Sequence, residues 1–177
     1  MNLKNFTIKS QEAIQRAQQI AMENEHQAIE PAHLMKGVLE IDENVTPFIF
    51  KKLGVNFKLI KQTVDGMVLS FPKVGGGEQY LSKSANEVLQ KANTFLNEFG
   101  DEYVALELLV LGLLKTKDQV SQMLKDNGII EKDLLASIHE LRKGKKVISN
   151  SSEDTYNSLE KYATNLTNGL VLASSIQ

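Results

Sequence analysis

Slid by 75 positions, the chain lies over itself. Ala13-Ile14-Gln15-Arg16-Ala17 matches Val88-Leu89-Gln90-Lys91-Ala92, Ile20 matches Phe95, Ile29 matches Val104, Leu34 matches Leu109, Gly37 matches Gly112, and Val38-Leu39 matches Leu113-Leu114. After a one-residue slip the match returns, with Leu53-Gly54-Val55 over Asn127-Gly128-Ile129. Two copies of one supersecondary unit are the economical reading, and any fold proposed for the chain must accommodate both.

Each copy reads as helices. Ala13, Ile14, Ala17, Ile20 and Ala21 recur at three- and four-residue spacing with glutamines between them, the pattern of a helix with one buried stripe. Either Ser10 or Thr7 serves as its N-cap, with Ser10 at the third helical position in the second case. Pro31 opens a second helix as its first residue, where a missing N–H costs nothing. Pro47 is expected to open a third, capped by Thr46 and closed by a left-handed Gly54. A fourth runs from about Phe57 to Val68. The second copy repeats the scheme over Val88 to Phe99, Leu106 to Leu114, Val120 to Asn127 with Gly128 as cap, and Lys132 to Leu141. The expected fold is therefore all-α, a duplicated four-helix repeat of about eight helices with pseudo-twofold symmetry.

The boundaries follow from composition. Half-domains at 1–70 and 80–143 are joined by Phe71-Pro72-Lys73-Val74-Gly75-Gly76-Gly77-Glu78, where a proline and three glycines end any helix and form a flexible linker. The repeat domain is taken to end at 146. Beyond it, Ser149-Asn150-Ser151-Ser152-Glu153-Asp154 reads as a polar joint that cannot bury itself, followed by a short helix over Tyr156 to Ala163 and a tail with no assigned role.

Chemistry is hard to place on this chain. With no cysteine, disulfide scaffolds, thiolate metal sites and cysteine nucleophiles are all excluded. Twenty basic against 22 acidic residues offer no footprint for a phosphate backbone, so no nucleic-acid partner is expected. The most apolar run, Val104 to Leu114, falls well short of the roughly 20 residues a bilayer requires. The amino terminus also lacks the apolar core of a signal peptide, so a cytoplasmic protein without a membrane partner is expected. The glycines at 75 to 77 lack the Lys-Ser/Thr pair of a phosphate cradle, and no serine sits in a nucleophile elbow. His26, His33 and His139 have no metal spacing, and His33 reads as a hydrogen-bonded core or boundary residue. Glu23, Glu25, Glu98, Asp101 and Glu102 read as solvated charge near helix ends, and Glu107 as an exposed first-turn residue or, alternatively, one facing a groove. Arg142, Lys143, Lys145 and Lys146 read as cations favoured at a helix C-terminus. No catalytic residue, metal or cofactor is expected, and the chain is not read as an enzyme; a small hydrolase on a helical scaffold is the remaining, unsupported class.

The ordered motifs Phe6-Thr7-x-Lys9-Ser10-Gln11-Glu12-Ala13, Ile29-Glu30-Pro31-x-His33-Leu34 and Leu53-Gly54-Val55 resemble the Clp amino-terminal domain, a duplicated four-helix module. Pro72-Lys73-Val74-Gly75, Gln79-Tyr80-Leu81-Ser82 and Gly100-Asp101-Glu102-Tyr103-Val104 are similar to its ClpB-type branch, that of the AAA+ disaggregases. The resemblance runs over roughly residues 1 to 165, because Tyr156 to Ala163 also resembles the segment that leads to the first ATPase module. After Leu166 the chain departs from the family, and it is read as a fragment or a stand-alone homologue.

The resemblance implies a mobile domain that engages exposed apolar stretches of unfolded or aggregated proteins and helps deliver them to an ATP-driven pore. It also implies a polar surface cluster at Thr7, Asp101 and Glu107, with an apolar groove nearby for which Leu89, Tyr103 and Leu108 are the candidates. The implied partners are client polypeptides, the ATPase modules of the full-length chaperone, which bind the ATP, and indirectly a DnaK-type system. The isolated domain is expected to be a monomer and the full-length family hexameric. The alternative is an adaptor-docking domain of the ClpA or ClpC type. Two departures bear on local hydrogen bonding: Ala32 stands where the family has glutamate before His33, and Leu106-Glu107-Leu108 lacks the histidine after the glutamate.

Overall fold

A computed structural model of the protein describes residues 2–154. In the first half these form α1 (Ile8–Glu23), β1 (Ala28–Ile29), α2 (Pro31–Ile41), α3 (Val45–Lys52) and α4 (Phe57–Ser70). The second half forms β2 (Tyr80–Leu81), α5 (Lys83–Phe99), α6 (Leu106–Lys115), α7 (Gln119–Asp126) and α8 (Glu131–Arg142). The all-α, duplicated four-helix reading holds, with two short strands added.

Those strands give the duplication its geometry. β1 pairs in parallel with β2, Ile29 opposite Leu81, while an isolated parallel bridge joins Phe6 to Val104. Phe6 and Leu81 are 75 positions apart, as are Ile29 and Val104, so the segment leading into each half pairs with the middle of the other. This reciprocal pairing is a pseudo-twofold relation written in hydrogen bonds. Two residues per strand are too few for a period-2 pattern to register in sequence.

Within each half the first two helices cross at a glycine. A Cβ on Gly37 would lie 2.3 Å from the Ala13 carbonyl oxygen, and one on Gly112 would lie 2.4 Å from that of Val88. The equivalent glycines of the two copies thus serve equivalent crossings, which Ala17 and Ala92 line with small side chains. Around this frame one core is continuous through both halves. α6 lies at its centre, in contact with α1, α2, α3, α5, α7 and α8, and every residue from Leu106 to Leu114 is buried.

Caps refine the expected boundaries. Thr7, not Ser10, caps α1, its hydroxyl oxygen accepting from Ser10 N–H at 3.1 Å. Ser82, its counterpart 75 residues on, caps α5 in the same way. Thr46 is not the cap of α3, and Pro47 is not its first residue: the helix starts at Val45, and the Asp42 carboxylate accepts from the backbone N–H groups of Asn44, Val45 and Thr46. A carboxylate that reaches three free amides outweighs a single hydroxyl. Gly54 and Gly128 follow their helices with φ of +67° and +87°, as expected.

The polar segment after 146 does not behave as an unburied joint. Val147 and Glu153 are fully buried and Ser152 nearly so. The peptide chain here satisfies its polar groups on the domain itself. Val147 N–H donates to Asp101 Oδ1 at 2.9 Å, Glu102 N–H donates to the Val147 carbonyl at 2.8 Å, and Ile8 N–H donates to the Asn150 carbonyl at 2.8 Å. A turn closed by Ser152 Oγ on the Ser149 carbonyl at 3.0 Å then carries Glu153 inward. Residues 147–154 are a strap that ties the start of α1 to the second half, and the packed region extends through them. The helix read at 156–163 lies outside the described residues.

Candidate functional site

Thr7, Asp101 and Glu107, far apart in sequence, do come together, but beneath the surface. Thr7 and Glu107 have no exposure, and the Asp101 side chain has none. The expectation of solvated acidic residues at these places fails because Arg142 lies among them. Its Nε donates to Glu107 Oε2 at 2.8 Å, and its Nη1 donates to Asp101 Oδ1 at 2.9 Å with Nη2 2.8 Å from Oδ2. The guanidinium also lies 4.8 Å from the centre of the Phe99 ring. Arg142 was legible only as a cation near a helix C-terminus; its role as buried counter-ion to carboxylates 35 and 41 residues away needed the tertiary fold. Burial works against its charge, but the pull of Glu107 and the hydrogen bond and charge of Asp101 outweigh that and raise its pKa.

Glu153, which sequence reasoning placed in the joint, completes the site. Thr7 donates its hydroxyl proton to Glu153 Oε2 at 2.5 Å, and Leu106 N–H donates to the same oxygen at 3.1 Å. The N-cap residue of α6 is Ala105, which has no side-chain acceptor; Glu153 supplies it from 47 residues away. Burial first, then the charge of Glu107, pushes the Glu153 carboxyl up to about 8, against the hydrogen bonds from Thr7 and the backbone. One guanidinium thus faces two carboxylates and a third carboxyl that holds its proton in neutral solution.

Leu89, Tyr103 and Leu108 do not form the expected open groove. Leu108 is fully buried because α6 is enclosed on all sides, and Leu89 is 7% exposed; Tyr103, half-buried against the core, reaches the surface. Surface depressions lie elsewhere, one of about 550 Å³ lined by Phe48, Lys51, Lys52, Glu140 and Lys143, another of about 460 Å³ between α4 and α7.

The first half carries a different polar group at the related place. His26 and Asp101 are 75 positions apart, as are His33 and Leu108. His33 is a buried, hydrogen-bonded residue: its Nδ1 accepts from Glu30 N–H at 2.9 Å, so its proton sits on Nε2, which donates to His26 Nδ1 at 2.9 Å. Phe71 stacks on His33 with ring centres 5.2 Å apart. Burial, then the charges of His26 and Lys36, lowers the His33 pKa to about 4.

The architecture points to a class. A profile of the Clp repeat (R) N-terminal domain matches residues 5–127, and the chain belongs to that family. Among its relatives, the chaperone protein ClpB of Bacteroides thetaiotaomicron is 57% identical over 166 residues and that of Porphyromonas gingivalis 48%, each alignment covering 94% of this chain. The chain spans only 19% of the length of either. Among solved structures, the Hsp104 N-terminal domain of Candida albicans superposes with a TM-score of 0.76 at 20% identity, covering 85% of this chain and 99% of that one. A ClpV N-domain in complex with a VipB peptide gives 0.65 at 16% identity, covering 78% and 90%. No helix among the described residues is long and apolar enough to cross a membrane.

Proposed function

We propose that this domain is the substrate-engaging N-terminal domain of a ClpB-type disaggregase, binding exposed apolar segments of unfolded or aggregated polypeptides and aiding their passage to ATPase modules that follow it. The observation that carries this reading is similarity to ClpB chaperones over nearly the whole chain, at 57% identity, with Thr7, Asp101 and Glu107 gathered into one site. That a ClpV N-domain is in complex with a VipB peptide supports peptide recognition on this fold. The work asked of the domain is binding, for which it needs no cofactor of its own. ATP belongs to the modules that complete the chaperone, and a DnaK-type system is the expected collaborator upstream. Affinity for any one client is weak, and repetition around a hexameric ring raises it.

The test is a fluorescence-anisotropy titration of labelled, reduced and carboxymethylated α-lactalbumin with the domain, beside Thr7→Ala and Glu107→Gln variants checked for folding. Saturable binding that weakens in both variants is expected. Failure to bind any unfolded chain, together with stoichiometric capture of one folded adaptor, would replace the reading with the docking-domain alternative.

A further inference from the structure

The strap at 147–154 sits on the site as a ligand would. Its contacts are those of a docked peptide that runs irregularly to Ile148, turns at 149–151 and enters a helical turn at 152–154. Val147 gives its side chain to the core, its N–H to Asp101 and its carbonyl to Glu102 N–H; Asn150 gives its carbonyl to Ile8 N–H; Glu153 gives one carboxyl oxygen to both Thr7 and Leu106 N–H. Ile148, between these anchors, points outward and is 65% exposed. The first amides of α1 and α6 find their acceptors on the strap: Ile8, first residue of α1, donates to the Asn150 carbonyl, and Leu106, first of α6, to Glu153. These are amides that a polypeptide of another sequence can satisfy with a carbonyl or carboxyl oxygen placed as the strap places its own. The joint of the first half is tied differently: Val74 N–H donates to the Glu25 carbonyl and Gln79 Nε2 to the His26 carbonyl, and neither bond serves a helix start.

From this we infer that the strap is a built-in occupant of the client seat, which opens when residues 147–154 lift and then takes a client segment that turns as the strap does, with an aliphatic residue in the place of Val147 and a neutral or protonated hydrogen-bond acceptor, six residues on, in the place of Glu153. The inference rests on the client-binding reading and adds to it a ligand pattern and a competitor. The Glu107 carboxylate lies close enough to push the Glu153 carboxyl toward its protonated form, so the second position favours an uncharged acceptor such as Gln, Asn or a protonated acid. Because the strap is covalently attached, it competes at high effective concentration, and the apparent client affinity is the intrinsic one scaled by the open fraction.

The experiment compares the full chain with its Glu153→Ala and Val147→Asp variants, the first being the milder in case the second loosens the fold. Hydrogen exchange reports the amides of Ile8, Glu102 and Leu106, and anisotropy reports binding of the same labelled α-lactalbumin. Both variants are expected to exchange faster at those amides while the α2 and α5 amides stay protected, and to bind the client about tenfold more tightly, the gain from freeing a seat that is about 90% closed. A peptide copying residues 144–155 is expected to displace the client, and a peptide altered at the Val147 and Glu153 positions is not. Faster exchange with unchanged client affinity would overturn the inference and leave the client-binding reading in place. Faster exchange with no client binding by any form would overturn both, and unchanged exchange in both variants would show that these anchors do not hold the strap.

Discussion

Arg142 is the residue on which the buried cluster depends. Two carboxylates removed from water are tolerated because one guanidinium reaches both at 2.8 Å and a phenyl ring backs it. Removing one partner of such a set leaves uncompensated buried charge, which costs about 3–5 kcal/mol. Arg142→Met is therefore expected to lower the urea midpoint by that amount of stability without a change in slope. Adding Asp101→Asn and Glu107→Gln to the same chain should recover most of the loss. A single Arg142→Met variant as stable as the parent would show that the pairs contribute nothing. The sequence displayed all five members of the cluster, but Glu107 read as surface charge and Glu153 as linker. Nothing local marks a carboxylate as buried when its partner lies 35 or 146 positions away. Thr7 was legible in both its capping role and its place in the cluster, since the first is local and the second came with the family's motif. Leu108 was misplaced as a groove residue, because an apolar residue reads alike whether it lines a groove or fills a core.

At the scale of elements, the helices were legible to within a few residues, because an apolar stripe at 3.6-residue spacing is a local property. α5 began five residues earlier than its apolar stripe, at the Ser82 cap. The α3 cap was misread because the acceptor, Asp42, comes from outside the helix. The glycine correspondence carries a sharper consequence. A methyl group on Gly37 or Gly112 would meet a backbone carbonyl oxygen at 2.3 or 2.4 Å, an overlap no side-chain rotation relieves. Gly37→Ala and Gly112→Ala are each expected to destabilise by roughly 2–3 kcal/mol through forced separation of paired helices. Gly66, within α4, has nothing within 4 Å of an added Cβ. Gly66→Ala should instead stabilise by about 0.5–1 kcal/mol through helix propensity. Chemical denaturation of the three variants decides the matter, and equal effects at all three positions would contradict the crossing geometry.

The whole molecule joins two halves that diverged in their polar chemistry, and pH should separate them. His33 has a folded pKa of about 4, below its ordinary 6.5, so the folded state resists its proton. Its contribution is complete above pH 6.5 and is lost as pH falls toward 4, by at most about 3 kcal/mol. Glu153 has a folded pKa of about 8, above its ordinary 4.5, so the folded state retains a proton that the unfolded chain releases. Its contribution is complete below pH 4.5 and is lost as pH rises toward 8, down to the point at which the strap detaches. Across pH 4.5 to 6.5 the two slopes oppose each other, and stability should vary little; above 6.5 it should fall. Glu153→Gln removes the second slope, so its stability is expected to rise through pH 4.5 to 6.5 and then stay level to 8. Thermal denaturation at stepped pH measures this, and an unaltered alkaline decline in Glu153→Gln would assign the slope to other groups.

The duplication and the all-α class were legible at this scale because repeats and periodicity survive in sequence. The reciprocal strand pairing and the strap were not, since each depends on contacts between residues that sit far apart along the chain. The central claim, that unfolded chains bind at the Thr7–Asp101–Glu107 site, is tested most directly by a chemical-shift titration of the full chain with an unfolded client. Shifts are expected at Thr7, Asp101, Tyr103 and Glu107 together with residues 147–153, and they should weaken in Thr7→Ala. Shifts confined to the Phe48, Lys51, Lys52 and Glu140 depression, or produced only by a folded adaptor, would contradict the account.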